Sequence, residues 1–186
     1  MDSDTLMLVV IAGVVLLVAL AAWAYTSRRS RMNLRDRFGP EYDRTVEAVG
    51  PARAESILRD RAERVSRFNL RKLTQEQADS FAREWRRIQA RFVDDPGDAV
   101  AEADELVTQV MTARGYPLED FDRRADDLSV DHPVVVQNYR TARALALRRQ
   151  RGEATTEEMR QAVVNYRALF DELLDVETRG THRRAS

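Results

Sequence analysis

TQEQADSFAREWRRIQARF, Thr74–Phe92, is the stretch whose reading decides the fold class. Thr74 is followed three residues later by Gln77, the pairing of a capping box, in which each residue's side chain satisfies the other's backbone N–H. Beyond it, Ala78, Phe81, Trp85, Ile88 and Phe92 recur in steps of three and four. That spacing places all five on one face of a helix and leaves the charged residues between them on the other. Each large apolar side chain so buried contributes roughly 1.5–3 kcal/mol of transfer free energy. A helix of this kind needs partners to cover its stripe.

Toward the C-terminus the partners follow at once. Asp94-Asp95-Pro96-Gly97 breaks the first helix and caps a second, whose inward positions are Val100, Ala103, Leu106 or Val107, and Val110 or Met111. Gly115 ends it in the position of a left-handed cap. A shorter helix is predicted in YPLEDFDRRADDL, then a break at SVDHP, with Pro133 opening the next helix and Asp131 or His132 as its cap. That helix turns Val135, Tyr139, Ala142 and Leu145 or Ala146 inward and stops at Gly152. The last opens at Thr155 or Thr156 with Glu158 and carries Met159, Val163, Tyr166, Phe170 and Leu173 on one stripe. No segment alternates with period two. The expectation is an all-α chain, with an antiparallel helical bundle over residues 74–176 and a polar, disordered tail over 177–186.

Toward the N-terminus the pattern thins. Gly39-Pro40 and Gly50-Pro51 bracket a short helix, and Pro51 suits the first turn of the next, whose stripe of Ala54, Ile57, Leu58, Ala62 and Val65 is narrow among many charges. Residues 26–73 therefore read as a basic juxtamembrane segment followed by a half-solvated helical arm. Before them, residues 6–25, LMLVVIAGVVLLVALAAWAY, carry no charge, and a helix of that length spans roughly 30 Å, enough for a hydrocarbon core. The short flank 1–5 holds Asp2 and Asp4, whereas Arg28, Arg29, Arg31, Arg35 and Arg37 follow the run. Basic flanks stay on the cytoplasmic side during insertion, so the N-terminus is expected outside and the body inside a bacterial cell membrane. Trp23 and Tyr25 suit the interfacial belt, and Arg28, Arg29 and Arg31 the anionic headgroups beside it. The competing reading cleaves at Ala22-Trp23-Ala24 and exports the body as an envelope domain with a structural or ligand-binding role.

Composition narrows the chemistry. Of the 186 residues 30 are basic, 31 acidic and two histidine, with net charge −1 and no cysteine. Without cysteine there is neither a disulfide, nor a thiolate metal site, nor a cysteine nucleophile. A mixed surface of near-zero net charge lacks the basic footprint of a nucleic-acid-binding domain. His132 and His182 form no HExxH, and the seven glycines make neither GxGxxG nor a Walker loop. The acids at Glu102, Asp104 and Glu105, and at Glu119, Asp120 and Asp122, read as helix starts and solvated faces. No catalytic, metal or cofactor site is expected. The partners expected are the lipid bilayer and a protein of unspecified identity, with self-association open and nucleic acid excluded.

One stretch stands out, Ala125–Val135, ADDLSVDHPVV. Read functionally, it is an exposed loop that offers Asp131, His132, Tyr139 and Arg140 to a partner; read plainly, it is a turn that caps two helices. Together with RFGPEYDRTVE at 37–47 and RFVDDPGDAVAEADELVTQVMTARGYP at 91–117, it resembles a family of small bacterial proteins with one N-terminal membrane helix, over most of the chain. The resemblance implies a shared helical fold and no known activity.

Overall fold

The computed structural model describes residues 16–18 and 32–174, and among these every regular element is a helix. Residues 32–38 are helical and lead across Gly39 into α1 (Pro40–Val49) and α2 (Pro51–Ser66). There follow α3 (Gln75–Arg91), α4 (Pro96–Ala113), α5 (Phe121–Asp131), α6 (Val136–Gln150) and α7 (Thr156–Leu174). The chain is an all-α helical bundle. No helix among the described residues is long and apolar enough to cross a membrane. The apolar run 6–25, apart from residues 16–18, and the tail 177–186 lie outside the described residues.

The Thr74 capping box forms as expected: the hydroxyl accepts from the Gln77 backbone N–H at 3.2 Å, and the Gln77 amide oxygen accepts from the Thr74 N–H at 3.0 Å. Thr155 and Glu158 make the same reciprocal pair at the start of α7. Trp85 and Ile88 are fully buried, while Ala78, Phe81 and Phe92 pack partly buried on the same core. The Trp85 ring stacks on Phe170 of α7 at 4.9 Å, with the Arg167 guanidinium over the indole at 5.5 Å. Val100, Ala103, Leu106, Val107, Val110 and Met111 of α4 complete this core with Tyr139 and Ala142 of α6 and Tyr166, Leu169 and Leu173 of α7. Tyr166 donates to Asp104 at 2.9 Å, so the one polar atom it carries inward is satisfied.

A single glycine fixes where the chain returns. Gly115 has φ +94°, and a Cβ built there would sit 2.4 Å from the Asn69 carbonyl oxygen. Neither the torsion nor the contact admits a side chain. The Arg71 N–H donates to the Arg114 carbonyl at 2.9 Å beside it, tying the α2–α3 connection to the end of α4.

A second, smaller core gathers Leu34, Phe38 and Tyr42 with Leu58 and Val65 of α2 and Val130 of α5. The helix that supplies Val130 runs further than the sequence suggests. Ser129 and Val130, expected in a break, lie in the last turn of α5, where the Ser129 hydroxyl donates to the Asp126 carbonyl at 2.6 Å. The break falls instead at His132–Val135, and α6 begins at Val136, which is fully buried where Val135 was the inward residue expected.

Candidate interaction surface

The structure divides the four residues singled out at the α5–α6 turn. Tyr139 has no exposed surface; its ring lies 4.7 Å from Phe121 and 6.3 Å from Tyr166, and burial pushes its phenol up to about 12. It is a core residue, as its place in the inward stripe of α6 already implied. Arg140 turns the other way, into the seam between α6 and α1. It donates twice to Glu41, at 2.6 and 2.9 Å, in the fork that a guanidinium makes with a carboxylate.

Glu41 is the centre of that seam. Only 2% exposed, its carboxylate also accepts from Arg61 of α2 at 2.9 Å. Asp126 of α5 lies 2.6 Å from Arg61 and 3.5 Å from Arg140, so Glu41 and Asp126 share two arginines in a cluster drawn from four helices, with the half-exposed Arg44 3.4 Å from Glu41 at its edge. Burial opposes the charge on Glu41, yet the hydrogen bonds and charges of Arg140 and Arg61 prevail and hold its carboxyl below the usual range. Burial instead prevails at Asp126, against Arg61 and Arg140, and its carboxyl is raised. Asp127 next to it is raised by burial against its partner Arg64, whose Nε donates to it at 2.8 Å. The Ser129 hydroxyl lies 3.4 Å from Arg61 in the same seam.

Asp131 and His132 remain at the turn. Neither caps α6 with its side chain, as the sequence led one to expect. The His132 backbone does both jobs of the turn: its N–H donates to the Leu128 carbonyl at 2.8 Å to end α5, and its carbonyl accepts from Val136 at 3.2 Å to begin α6. Asp131 is exposed, 3.8 Å from Arg37. The His132 ring is buried with Nδ1 3.3 Å from a Glu172 oxygen of α7. An ionised carboxylate only accepts, so Nδ1 carries the proton toward Glu172. Burial holds the imidazole below its ordinary pKa against the pull of Glu172, and the ring is neutral at pH 7. Its Nε2 has no hydrogen-bond partner among the described residues. Asp131, His132, Pro133, Val134, Val135 and Glu172 line a half-open cleft of about 340 Å³, and a second of about 370 Å³ lies across Pro133, against Pro40, Asp43 and Glu47 of α1.

Trp23, Tyr25, Arg28, Arg29 and Arg31, expected at the membrane interface, lie outside the described residues. Among the described residues no three His, Asp or Glu side chains are grouped to hold a metal ion. Sequence reading missed Glu41, Arg61 and Asp126 altogether, since they meet only in three dimensions. Compared with family models, with curated proteins and with solved structures, the chain matches none.

Proposed function

We propose that the chain is a non-catalytic, membrane-anchored interaction module: a single transmembrane helix over residues 6–25, then an antiparallel helical bundle that holds a protein partner at the cytoplasmic face of a bacterial membrane. The anchor rests on the uncharged run and on the arginines that follow it. The observation that carries the reading is the burial of the segment immediately after them. Leu34, Phe38 and Tyr42 are packed into the smaller core, and Glu41 is locked by Arg61 and Arg140. Only residues 26–31 separate Tyr25 from the first docked helix, and even fully extended they reach about 20 Å. A body tied so closely does not swing freely; it is kept within the headgroup region or just beneath it. That suits a protein whose task is to present one face at a membrane surface.

The test is a topology measurement on the full chain in bacteria. Fluorescence from a green fluorescent protein fused after Ser186, silence from a phosphatase fused at the same point, and retention in the membrane pellet after alkaline carbonate are the expected results. Phosphatase activity, or release by carbonate, overturns the reading and favours an exported body.

A further inference from the structure

We propose that the end of the bundle at which the chain enters seats directly on the lipid bilayer, with the Pro133-Val134-Val135 turn set among the headgroups as a second membrane contact. This contact presupposes the anchoring of residues 6–25 proposed above. Three connections meet at that end. The Arg71 N–H donates to the Arg114 carbonyl, the Arg114 guanidinium donates to the Leu173 carbonyl at 2.9 Å, and the His132 ring lies 3.3 Å from Glu172 beside it. Residues 67–74, 114–120 and 132–135 are thereby gathered together. The residues that follow the uncharged run dock there too, since Arg37 lies 3.8 Å from Asp131 and Pro40 shares a cleft with Pro133. At the opposite end a Cβ on Gly97 would lie 2.9 Å from the Arg149 guanidinium, and Val93 stands in the connection just before it. The 18 residues of α4 hold the two ends roughly 27 Å apart. Residues 26–31 supply at most about 20 Å of chain, so the entry end is the one drawn to the bilayer.

The chemistry of that end suits lipid. Val134 is 74% exposed, and Pro40, Pro133 and Val135 continue its apolar surface through two adjoining clefts. Leu118, in the connection 114–120, is 71% exposed. A contiguous apolar strip on a surface otherwise rich in charge marks a contact. The turn also carries few free backbone groups: Pro133 has no N–H, and the His132 N–H and carbonyl are both bonded. Such a tip loses little on entering a medium poor in hydrogen-bond partners. Its rim is balanced in charge. Arg35 lies 3.3 Å from Asp43 and Arg37 pairs with Asp131, while Asp36 and Glu47 are offset by Arg28, Arg29 and Arg31 next in the chain. The attraction is therefore apolar and needs no anionic lipid. A protein occupant would have to fit between this end and the bilayer, within the reach of residues 26–31, so a protein partner takes the sides of the bundle instead.

The sequence has no cysteine, so Val134→Cys and Val93→Cys each give the full chain a single attachment point for an environment-sensitive nitrobenzoxadiazole label. Val93, 82% exposed at the far end, is the control. Each labelled chain, its helical melting curve unchanged, is placed in phosphatidylcholine nanodiscs with or without a nitroxide on the upper acyl chain, and is also titrated with iodide from the water. The expected result is nitroxide quenching at the Val134 position at least about twofold stronger than at the Val93 position, with matching protection from iodide. Equal nitroxide quenching at the two positions overturns the contact. So does protection from iodide at the Val134 position without nitroxide quenching, the mark of a protein or a second copy over the turn. Retention on the disc during gel filtration separates this contact from the anchor: a chain that stays on the disc with the Val134 position unquenched loses only the contact, and a chain that leaves the disc loses both.

Discussion

The bundle of α3, α4, α6 and α7 closes over Trp85, Phe170, Tyr139 and Tyr166, whereas the layer of residues 32–38, α1 and α2 joins it through a small apolar core with Val130 and through the ion pairs of Glu41, Arg61, Arg64 and Arg140. The two regions differ in how they fail. An apolar core loses stability in proportion to the volume removed, and its neighbours partly relax into the gap. A buried ion cluster loses little when replaced whole by apolar residues, but much when one member goes, because the charges left behind remain out of water. The first specifies that the chain folds, and the second specifies where the N-terminal layer sits.

The largest effect should come from the apolar side. Trp85→Ala removes a fully buried indole and its stack on Phe170, and chemical denaturation should show a loss of about 3–5 kcal/mol of global stability. Glu41→Gln should cost about 3 kcal/mol, since Arg61 and Arg140 keep their charges in a buried place. Unlike Trp85→Ala, it should act regionally: hydrogen exchange should quicken in 34–66 and leave α3, α4, α6 and α7 protected. Uniform acceleration in both variants would erase the distinction between the two regions.

Acid sharpens the same contrast. The folded Glu41 carboxyl lies below its unfolded value, so its contribution is complete above the ordinary carboxylate pKa and is lost as pH falls through the depressed one. The stability gap between the native chain and Glu41→Gln should therefore narrow toward strong acid. Asp126 and Asp127 work in the opposite sense, because their raised values make the folded state take up protons more readily, adding stability as pH falls through them. Being present in both proteins, they cancel to first order in the difference. Gly115→Ala should cost about 2 kcal/mol by thermal melting, combining the positive torsion with the approach of Asn69. Thr74→Ala, which removes half of the capping box on α3, should cost about 1 kcal/mol.

How much could be read beforehand follows the same division. The apolar bundle was legible because its signals are local: a Thr and a Gln three apart, stripes at three and four, a glycine after a helix. Trp85, Val100, Tyr166 and Phe170 all stand inside where their spacing put them. The ionic seam was not legible, since Glu41 and Arg140 are 99 residues apart and no periodicity links them. In sequence Arg61, Arg64, Asp126 and Asp127 look like the charged side of solvated helices, and only the packing of α2 on α5 turns them inward. The turn at His132 falls between. Pro133 lies in the break and not at the helix start expected of it, since α6 begins at Val136, and α5, whose Val130 packs into the smaller core, runs past the expected break. Of the four residues marked there, Tyr139 also satisfied the core stripe and Arg140 was claimed by a partner no local pattern reveals.

Central to the account is that the segment following the arginines belongs to the folded body and is not a loose tether. Native-state hydrogen exchange on the full chain in lipid nanodiscs measures this directly at the amides of 34–49. Protection there comparable with that of α2, and lost selectively in Glu41→Gln, is the predicted result. Exchange at the rate of an unstructured peptide, alongside a protected bundle, would contradict it.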